Sequence, residues 1–286
     1  MNLLLHSSLA VHARERGEKE LPGAWFVETI SPLGHEKQAV RQALFRAVKD
    51  GEFLSRKAGR ARLYRLSPYL EAAVAAGTEK IFGAGEPSWD GAYTIVQYAF
   101  DDARRVDRDR VRDILEVEGF APLARGLYVH PRDRSARILR AIGETGARRE
   151  VTVFRGARVG DETDAEFVAR LWDLKALARR YREFLAAFAA PPPRRDGEDG
   201  DERAFAARLA LAISFLDVAW DDPDLPGSLL PADWPGALAR KTARSIYERL
   251  LPGALAHGDR VLRRLRPSSG APRPKSVTRS LDDRKR

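Results

Sequence analysis

The spacing of apolar residues changes from helical to strand-like within residues 36–66. In the first half they recur three and four positions apart, at Ala39, Val40, Ala43, Leu44, Ala47 and Val48. This spacing predicts an amphipathic helix over residues 36–49, which ends at Asp50 and Gly51. The second half is rich in strand-forming residues on both sides of a Lys-Ala-Gly-Arg sequence at 57–60. It therefore predicts a β-hairpin with its turn there.

Upstream of this helix, the pattern predicts two further helices. Residues 3–16 fit one amphipathic helix, and residues 24–30 fit a short one that follows Pro22 and Gly23. A turn is expected at residues 31–34. Three helices followed by a hairpin predict a winged helix-turn-helix DNA-binding domain over residues 1–76, and residues 77–90, with three glycines and a proline, predict a linker.

The middle of the chain alternates between strand and helix patterns. Strands are expected at 93–100, 120–123, 127–130 and 151–154, and helices at 108–117 and 135–142. The resulting order, β-α-β-β-α-β, is that of a ferredoxin-like domain, which we place at residues 91–160.

The C-terminal part has mainly helical spacing. We expect one long helix over 164–189, a proline-rich and acidic loop as far as residue 201, and helices over 202–218 and 237–250. A segment rich in proline and glycine joins the last two. Residues 161–266 are thus predicted to be a helical domain, and residues 267–286 a disordered basic tail. The predicted fold class for the whole chain is α+β.

Charge is distributed unevenly along the 286 residues. The net charge is +9, yet residues 36–66 hold nine Lys/Arg against three Asp/Glu, and residues 260–286 hold ten Lys/Arg against two Asp. The rest of the chain is therefore net negative. Two basic segments on an acidic body favour localised contact with phosphates.

Composition narrows the classes of protein. The chain has no cysteine, which excludes disulfides, thiol catalysis and cysteine zinc sites, and fits a reducing cytoplasm. No apolar run approaches the ~20 residues of a membrane span. We expect a cytoplasmic, nucleoid-associated protein without a membrane partner.

The predicted helix and hairpin supply the candidate DNA contacts. On the helix, polar and basic residues lie opposite the apolar face, where they suit base edges and phosphates of a major groove. Hairpin arginines commonly contact phosphate or the minor groove. The candidates are Lys37, Gln38, Arg41, Gln42, Phe45, Arg46 and Lys49 on the helix, with Arg56, Lys57, Arg60 and Arg62 on the hairpin. A solvated amphipathic helix is the alternative. Phe45 could meet a thymine methyl group or pack on a neighbouring domain.

Catalysis is the main rival function. Asp101 and Asp102 follow the first central strand, and such a pair could hold Mg²⁺ in a metal-dependent nuclease. The alternative is that they terminate the strand and cap the next helix. The five histidines lack paired metal spacing, and no nucleophile or phosphate-loop motif occurs. We therefore expect no catalytic residue, no metal, no cofactor and no enzyme activity. A nucleic-acid or protein interaction module is a further alternative.

Four segments of the chain resemble the PaaX family of bacterial transcriptional regulators. They are AVRQALFRAVKDGEFLSRKAGRARLYRLS near the N-terminus, WDGAYTIVQYAFDDARRVDRDRVRDILEVEGFAPLARGLYVHPR in the middle, and LWDLKALARRYREFLAAF with DPDLPGSLLPADWPGALAR further on. The resemblance implies a repressor that is usually dimeric, binds an operator in double-stranded DNA, and is released by an aromatic acyl-CoA such as phenylacetyl-CoA. It also implies that the central domain is similar to the small CRISPR-associated endonuclease fold.

The chain departs from the family pattern at two places that bear on the operator. Phe45 stands where family members mostly carry a small polar residue, and Glu52 and Phe53 replace the usual Trp.

An acyl-CoA needs positive charge for its phosphates and an apolar slot for its acyl group. Candidate effector-binding residues are Arg125, Arg179 and Arg180 for the charge, and Trp172, Tyr181 and Trp220 for the slot. Core packing of the aromatic residues, and a solvated helix face for Arg179 and Arg180, are the alternatives.

Overall fold

The computed structural model describes residues 1–83, 88–190 and 197–265. This part of the chain has ten α-helices and two small sheets. The helices are α1 (Asn2–Arg16), α2 (Gly23–Ile30), α3 (Lys37–Lys49), α4 (Pro68–Phe82), α5 (Arg105–Val117), α6 (Ser135–Gly143), α7 (Asp164–Leu171), α8 (Leu174–Ala187), α9 (Glu198–Ala219) and α10 (Gly236–Leu265). The strands are β1 (Leu21–Pro22), β2 (Phe53–Ala58), β3 (Ala61–Leu66), β4 (Tyr93–Tyr98), β5 (Ala121–Ala124), β6 (Leu127–His130) and β7 (Val151–Gly156).

The N-terminal elements follow the predicted order of three helices and a hairpin. β2 and β3 pair from Phe53 with Leu66 to Ala58 with Ala61, which leaves Gly59 and Arg60 as the turn. Gly59 has a φ of +60°, which suits glycine in a tight hairpin turn. Strand β1 adds to the other side of β3, giving the order β1-β3-β2. The predicted helix and hairpin are confirmed.

Helix α4 follows the hairpin and was not expected from the sequence. Ser67 caps it by accepting a hydrogen bond from the Leu70 amide, and Pro68 occupies its first turn. The helix continues through Gly77 to Phe82, so residues 77–82 of the predicted 77–90 linker are helical. Gly77 stays helical because α9 packs closely there: a Cβ would lie 3.3 Å from the Leu216 side chain. Residues 84–87 lie outside the described chain.

The central segment forms a four-stranded antiparallel sheet in the order β5-β6-β4-β7. Helices α5 and α6 cover one face and bury Val111, Leu115, Ile138 and Ile142 against Val96 of the central strand β4. The order of elements along the chain is β-α-β-β-α-β. The predicted ferredoxin-like arrangement and the α+β class are therefore confirmed.

The single helix predicted over 164–189 is wrong, because the chain breaks between α7 and α8. Trp172 is extended, and its indole N–H donates to the Gly119 carbonyl oxygen at 3.0 Å. Asp173 then caps α8 by accepting a hydrogen bond from the Ala176 amide at 2.9 Å. The long-range Trp172 bond and the local cap together outweigh the helical pattern that spans both segments.

The last two helices are longer than predicted. Helix α9 begins at Glu198, within the expected acidic loop, and residues 191–196 of that loop lie outside the described chain. Helix α10 runs through Pro252 to Leu265 instead of ending near 250. Close packing on α9 holds this stretch: a Cβ on Gly253 would lie 2.9 Å from Ala204. Such packing offsets the local cost of a proline inside a helix. The predicted tail, 267–286, lies outside the described residues.

The core of the N-terminal part includes residues from the C-terminal helices. Trp25, Phe26 and Leu44 pack in one cluster with Phe205 of α9 and Val261 of α10. The buried Trp25 indole donates to the Gly258 carbonyl oxygen at 3.0 Å. Helix α1 lies between this cluster and the one that α8, α9 and α10 form. The N-terminal elements thus depend on α10 for part of their core. The division of the chain into three domains, a linker and a tail stays a prediction.

We expect Gly258→Ala to destabilise the protein although alanine favours helices. The added Cβ would lie 2.9 Å from His12 Cε1 and 3.3 Å from the Trp25 ring. Overpacking of this kind costs about 1–3 kcal/mol. The matched control is Gly143→Ala at the end of α6, where a Cβ meets nothing within 4 Å. It should raise the free energy of unfolding by up to about 1 kcal/mol. Denaturant titration of both variants measures the difference, and equal stabilisation by both would contradict the prediction.

Candidate nucleic-acid interface

Helix α3 has an apolar inner face and a polar outer face. Val40, Ala43, Leu44 and Ala47 are buried against α2 and the hairpin. All seven candidate residues of this helix lie on the exposed side: Lys37, Gln38, Arg41, Gln42, Phe45, Arg46 and Lys49. Burial of one stripe at helical spacing leaves the opposite stripe in solvent, so the placement follows directly from the sequence period.

Most polar side chains of the outer face are free to bind a ligand. Lys37 pairs with Glu28 at 2.9 Å. In the part of the chain that the structure describes, Arg41, Gln42, Arg46 and Lys49 have no side-chain hydrogen bond or ion pair. Arginine can form two hydrogen bonds with the edge of guanine, and glutamine can form two with the edge of adenine. The face can therefore donate to bases and phosphates without first breaking protein contacts.

Phe45 lies in the middle of the outer face with 72% of its surface exposed. None of the described segments covers it, so the alternative in which it packs on a neighbouring domain finds no support in this chain. The exposed aromatic ring lies between Arg41, Gln42 and Lys49. It can make an apolar contact with a group such as the methyl group of thymine.

The hairpin carries one arginine that is held in an ion pair, and further cations at its tip. Arg56 makes a two-pronged ion pair with Glu20, and its hydrogen bonds hold the pKa of that carboxyl below its usual range. Arg62 donates to Ser55 Oγ at 2.9 Å. Lys57 and Arg60, beside the turn, are exposed and without an ion pair among the described residues. Positive charge without an acidic partner is therefore present at the hairpin tip.

Three acidic residues hold this candidate interface in place, of which the sequence marked only Glu52, as a departure from the family pattern. Glu52 accepts hydrogen bonds from Asn2 at 3.0 Å and pairs with His6 at 3.1 Å, which joins the hairpin to α1. Glu20 and Glu28 hold Arg56 and Lys37. Their partners lie between 9 and 50 positions away along the chain. No local spacing rule connects residues so far apart.

The six candidate effector residues are not gathered in one site. Arg180 pairs with Asp217 and Asp221, the Tyr181 hydroxyl donates to Asp222 Oδ2 at 2.6 Å, and Trp220 lies in the same stretch. These three therefore meet around residues 217–222. The other three, Arg125, Trp172 and Arg179, lie elsewhere, at the β5–β6 turn, beside Gly119 and on the outer side of α8.

Tyr181 is a core residue that keeps one polar contact. Burial, together with the neighbouring Asp222, raises the pKa of its hydroxyl far above the usual range. It therefore donates a hydrogen bond and stays neutral. Trp220 is 46% exposed, and the Lys80 ammonium lies 5.7 Å from its ring centre.

The acidic pair of the nuclease alternative does not form a metal site in the described chain. Asp101 and Asp102 are exposed at a short 3-10 turn, and Asp101 makes no capping hydrogen bond. The described ranges hold no group of three or more His, Asp or Glu placed to bind a metal ion. No helix within these ranges has the length and apolar character to span a bilayer.

His130 has a structural position at the end of β6. Its ring donates from Nε2 to the Pro223 carbonyl oxygen at 2.9 Å, while Nδ1 accepts from the Arg132 amide at 3.0 Å. Burial lowers its pKa to about 4. The neutral ring thus joins the central sheet to the segment that precedes α10.

Comparison with known proteins identifies three matched segments. Residues 11–70 match the model of PaaX-like proteins, residues 86–168 the PaaX central Cas2-like domain, and residues 172–260 the PaaX-like C-terminal domain. The chain is 31% identical over 236 residues to the transcriptional repressor PaaX of Escherichia coli (strain K12), an alignment that covers 79% of this chain and 73% of that protein.

A solved structure shares the fold. The uncharacterized protein Rv0674 from Mycobacterium tuberculosis superposes with a TM-score of 0.59 at 21% identity, over 88% of this chain and 96% of the other. The three matched segments follow one another in the same order as the N-terminal helices and hairpin, the four-stranded sheet and the C-terminal helices. The chain belongs to the PaaX family of transcriptional regulators.

Proposed function

We propose that this chain represses transcription by placing the outer face of α3 in the major groove of an operator. The observation that carries this proposal is the set of exposed, unpaired side chains on α3 that includes Arg41, Gln42, Arg46 and Lys49. The basic hairpin next to them then acts as the wing of a winged helix-turn-helix. Arg41 and Gln42 contact bases, and the lysines contact phosphates.

The wing supplies contacts that do not depend on sequence. Lys57 and Arg60 at its tip, with Arg62 beside them, reach the phosphates or the minor groove. The end of α10 lies beside the wing, where Leu262 and Leu265 line a groove with Ala61 and Leu63 of β3. The basic residues 267–286 follow that helix directly along the chain. We propose that they add a further phosphate contact.

Two finer properties rest on the family resemblance. The chain acts as a homodimer that binds two half-sites about one helical turn, or a multiple of it, apart. An aromatic acyl-CoA or similar effector releases it by favouring a geometry in which the two α3 helices no longer fit both half-sites. The protein works by binding rather than catalysis, at DNA in the cytoplasm.

Replacing Arg41 or Gln42 by alanine should remove operator selectivity. Both side chains are exposed, so the fold should stay intact, while each lost pair of base contacts costs about 1–3 kcal/mol of discrimination. Fluorescence anisotropy with operator and random DNA measures this, the operator being first selected from a random library. Arg110→Ala, an exposed arginine on α5, is the matched control. Unchanged operator preference in both variants would refute the assignment of α3.

Replacing Phe45 by serine should change which operator is preferred and leave stability within about 0.5 kcal/mol, because the ring is exposed. Selection of binding sites from a random library by the wild-type and variant proteins provides the measurement. The expected change is a loss of thymine preference at one position in each half-site. Identical selected sequences would show that Phe45 does not contact bases.

Removing residues 267–286 should weaken binding to random DNA and flatten its salt dependence. The segment holds six Lys/Arg and two Asp, so the slope of log K against log salt should fall by up to about five. A full-length variant with those six residues changed to serine should behave in the same way. The ratio of operator to random affinity should stay nearly constant. An unchanged slope in both variants would exclude the tail from the interface.

A further inference from the structure

A cleft of about 780 Å³ lies where three parts of the fold meet. Its walls come from the end of α4, from Trp89 before β4, from Arg132 after β6, from residues 222–230 and from the first turns of α10. Its volume lies within the range of pockets that bind small organic molecules.

The lining of the cleft holds more basic than acidic residues. Arg240, Lys241 and Arg244 face it from two consecutive turns of α10, and Arg132 faces it from the central domain. Asp222 and Asp224 are the acidic residues of its lining, and both are engaged. Asp224 pairs with Arg134 at 3.4 Å and with Arg240 at 3.6 Å, whereas Asp222 accepts from the Tyr181 hydroxyl.

Two cations remain for a ligand. Arg132 is bonded to the carbonyl oxygens of Asp224 and Leu225. Arg244 forms an exposed helical pair with Glu248 at 3.0 Å, which is worth a few tenths of a kcal/mol. Its guanidinium also lies 5.8 Å from the centre of the Phe82 ring, an exposed contact worth about 0.5–1 kcal/mol. Lys241 is exposed and has no ion pair in the described ranges. Lys241 and Arg244 can therefore turn to an anion at little cost.

Another part of the lining is apolar and aromatic. Trp89 and Trp234 are both partly buried and line it together with Leu225 and Leu230. The Trp89 indole is fixed by a bond to the Ala92 carbonyl oxygen at 3.2 Å, and the Trp234 ring packs edge-on against Tyr181. Rigid indole faces that retain exposed surface favour a planar apolar group.

The backbone of residues 222–224 is held in one uncommon conformation. Asp224 has a φ of +61°, and its amide donates to Asp222 Oδ1 at 2.7 Å. This turn presents Pro223 to His130 and Asp224 to Arg134 and Arg240. The lining is therefore built by contacts among the central sheet and α10, and it does not depend on a ligand for its form.

We propose that this cleft binds an amphipathic organic anion, with its planar apolar part between Trp89 and Trp234 and its anionic group at Lys241 and Arg244. The proposal deepens the proposed function, since it identifies an effector site distinct from the residues expected from the sequence. None of the six candidate residues lines it directly. Tyr181 contacts the lining through Asp222 and Trp234, and Trp172 packs in one cluster with Trp89 and Trp234.

The cleft is connected to the wing by two continuous helices. Helix α4 starts directly after β3 and ends at the cleft with Ile81. Helix α10 starts at the cleft and ends beside the wing, where Leu265 and Leu63 line the same groove. Binding that alters the spacing of α4 and α10 at one end is therefore transmitted to the hairpin at the other.

The experiment compares two probes that differ in one charged group. Anilinonaphthalene sulfonate is an aromatic anion, and N-phenylnaphthylamine has the same rings without the sulfonate. Fluorescence titration of the full-length protein, without DNA, should give one saturable sulfonate site per chain. The double variant Lys241→Gln, Arg244→Gln should weaken the sulfonate about tenfold and the uncharged probe less than twofold.

Two controls separate the cleft from other sites. Arg105→Gln removes an exposed arginine of α5 that also pairs with a carboxylate four residues further on, Asp109 at 3.7 Å, and should change neither probe. Trp234→Leu should weaken both. Equal sulfonate affinity in the wild-type protein and the double variant would overturn the proposal. That result would place the probe elsewhere, for instance in the apolar cavity of about 230 Å³ between α1, α4 and α9.

A second measurement tests the connection to DNA. Saturating sulfonate should lower the affinity of the wild-type protein for DNA at least threefold and leave that of the double variant unchanged at the same concentration. Sulfonate binding without any change in DNA affinity would overturn the coupling. A protein that binds sulfonate as expected but no DNA would refute the proposed function and leave the cleft in place.

Discussion

The packing of Trp25 against α10 is the interaction on which the rest of the molecule depends. Its buried indole donates to the Gly258 carbonyl oxygen and packs at right angles to Phe26 and Phe205. The approach is close enough that a Cβ on Gly258 would collide with His12 of α1. Helix α2, which precedes the proposed DNA-binding helix α3, is therefore fixed to the last helix of the fold. The position of α3 is set by the whole chain, and not by the N-terminal segment alone.

Electrostatic pairing then decides which cations remain available to DNA. Glu20 and Glu28 each neutralise one candidate residue, while Glu52 joins the hairpin to α1. These exposed pairs contribute little stability individually, but they restrict Arg56 and Lys37 to fixed positions. Charges without a protein partner are left on the outer face of α3 and at the hairpin tip. The interface thus combines anchored cations that orient the wing with free ones that can meet phosphates and bases.

In the cleft at residues 222–230, too, a few acidic side chains pair with groups from several parts of the chain. Asp222 and Asp224 satisfy groups from α8, the central domain and α10, and burial lowers the pKa of Lys80 nearby. Because three segments share these two carboxylates, a change in their spacing cannot remain local. A ligand that binds between Trp89 and α10 acts on the point where the central sheet, α4 and α10 are joined, which is the arrangement that linkage between an effector and DNA requires.

Local periodicity in the sequence determined α3, the hairpin and the β-α-β-β-α-β segment, because each of these elements buries one face or alternates about a tight turn. It also determined the exposed side of α3, with Phe45 in its middle. Tertiary structure decided what periodicity cannot encode. The break at Trp172 depends on Gly119, the helical Gly77 on Leu216, and the passage of α10 through Pro252 on α9. Tertiary structure also decided which acidic residues pair with the wing and which residues line the cleft. These contacts join residues far apart along the chain, which only the packed fold brings within bonding distance.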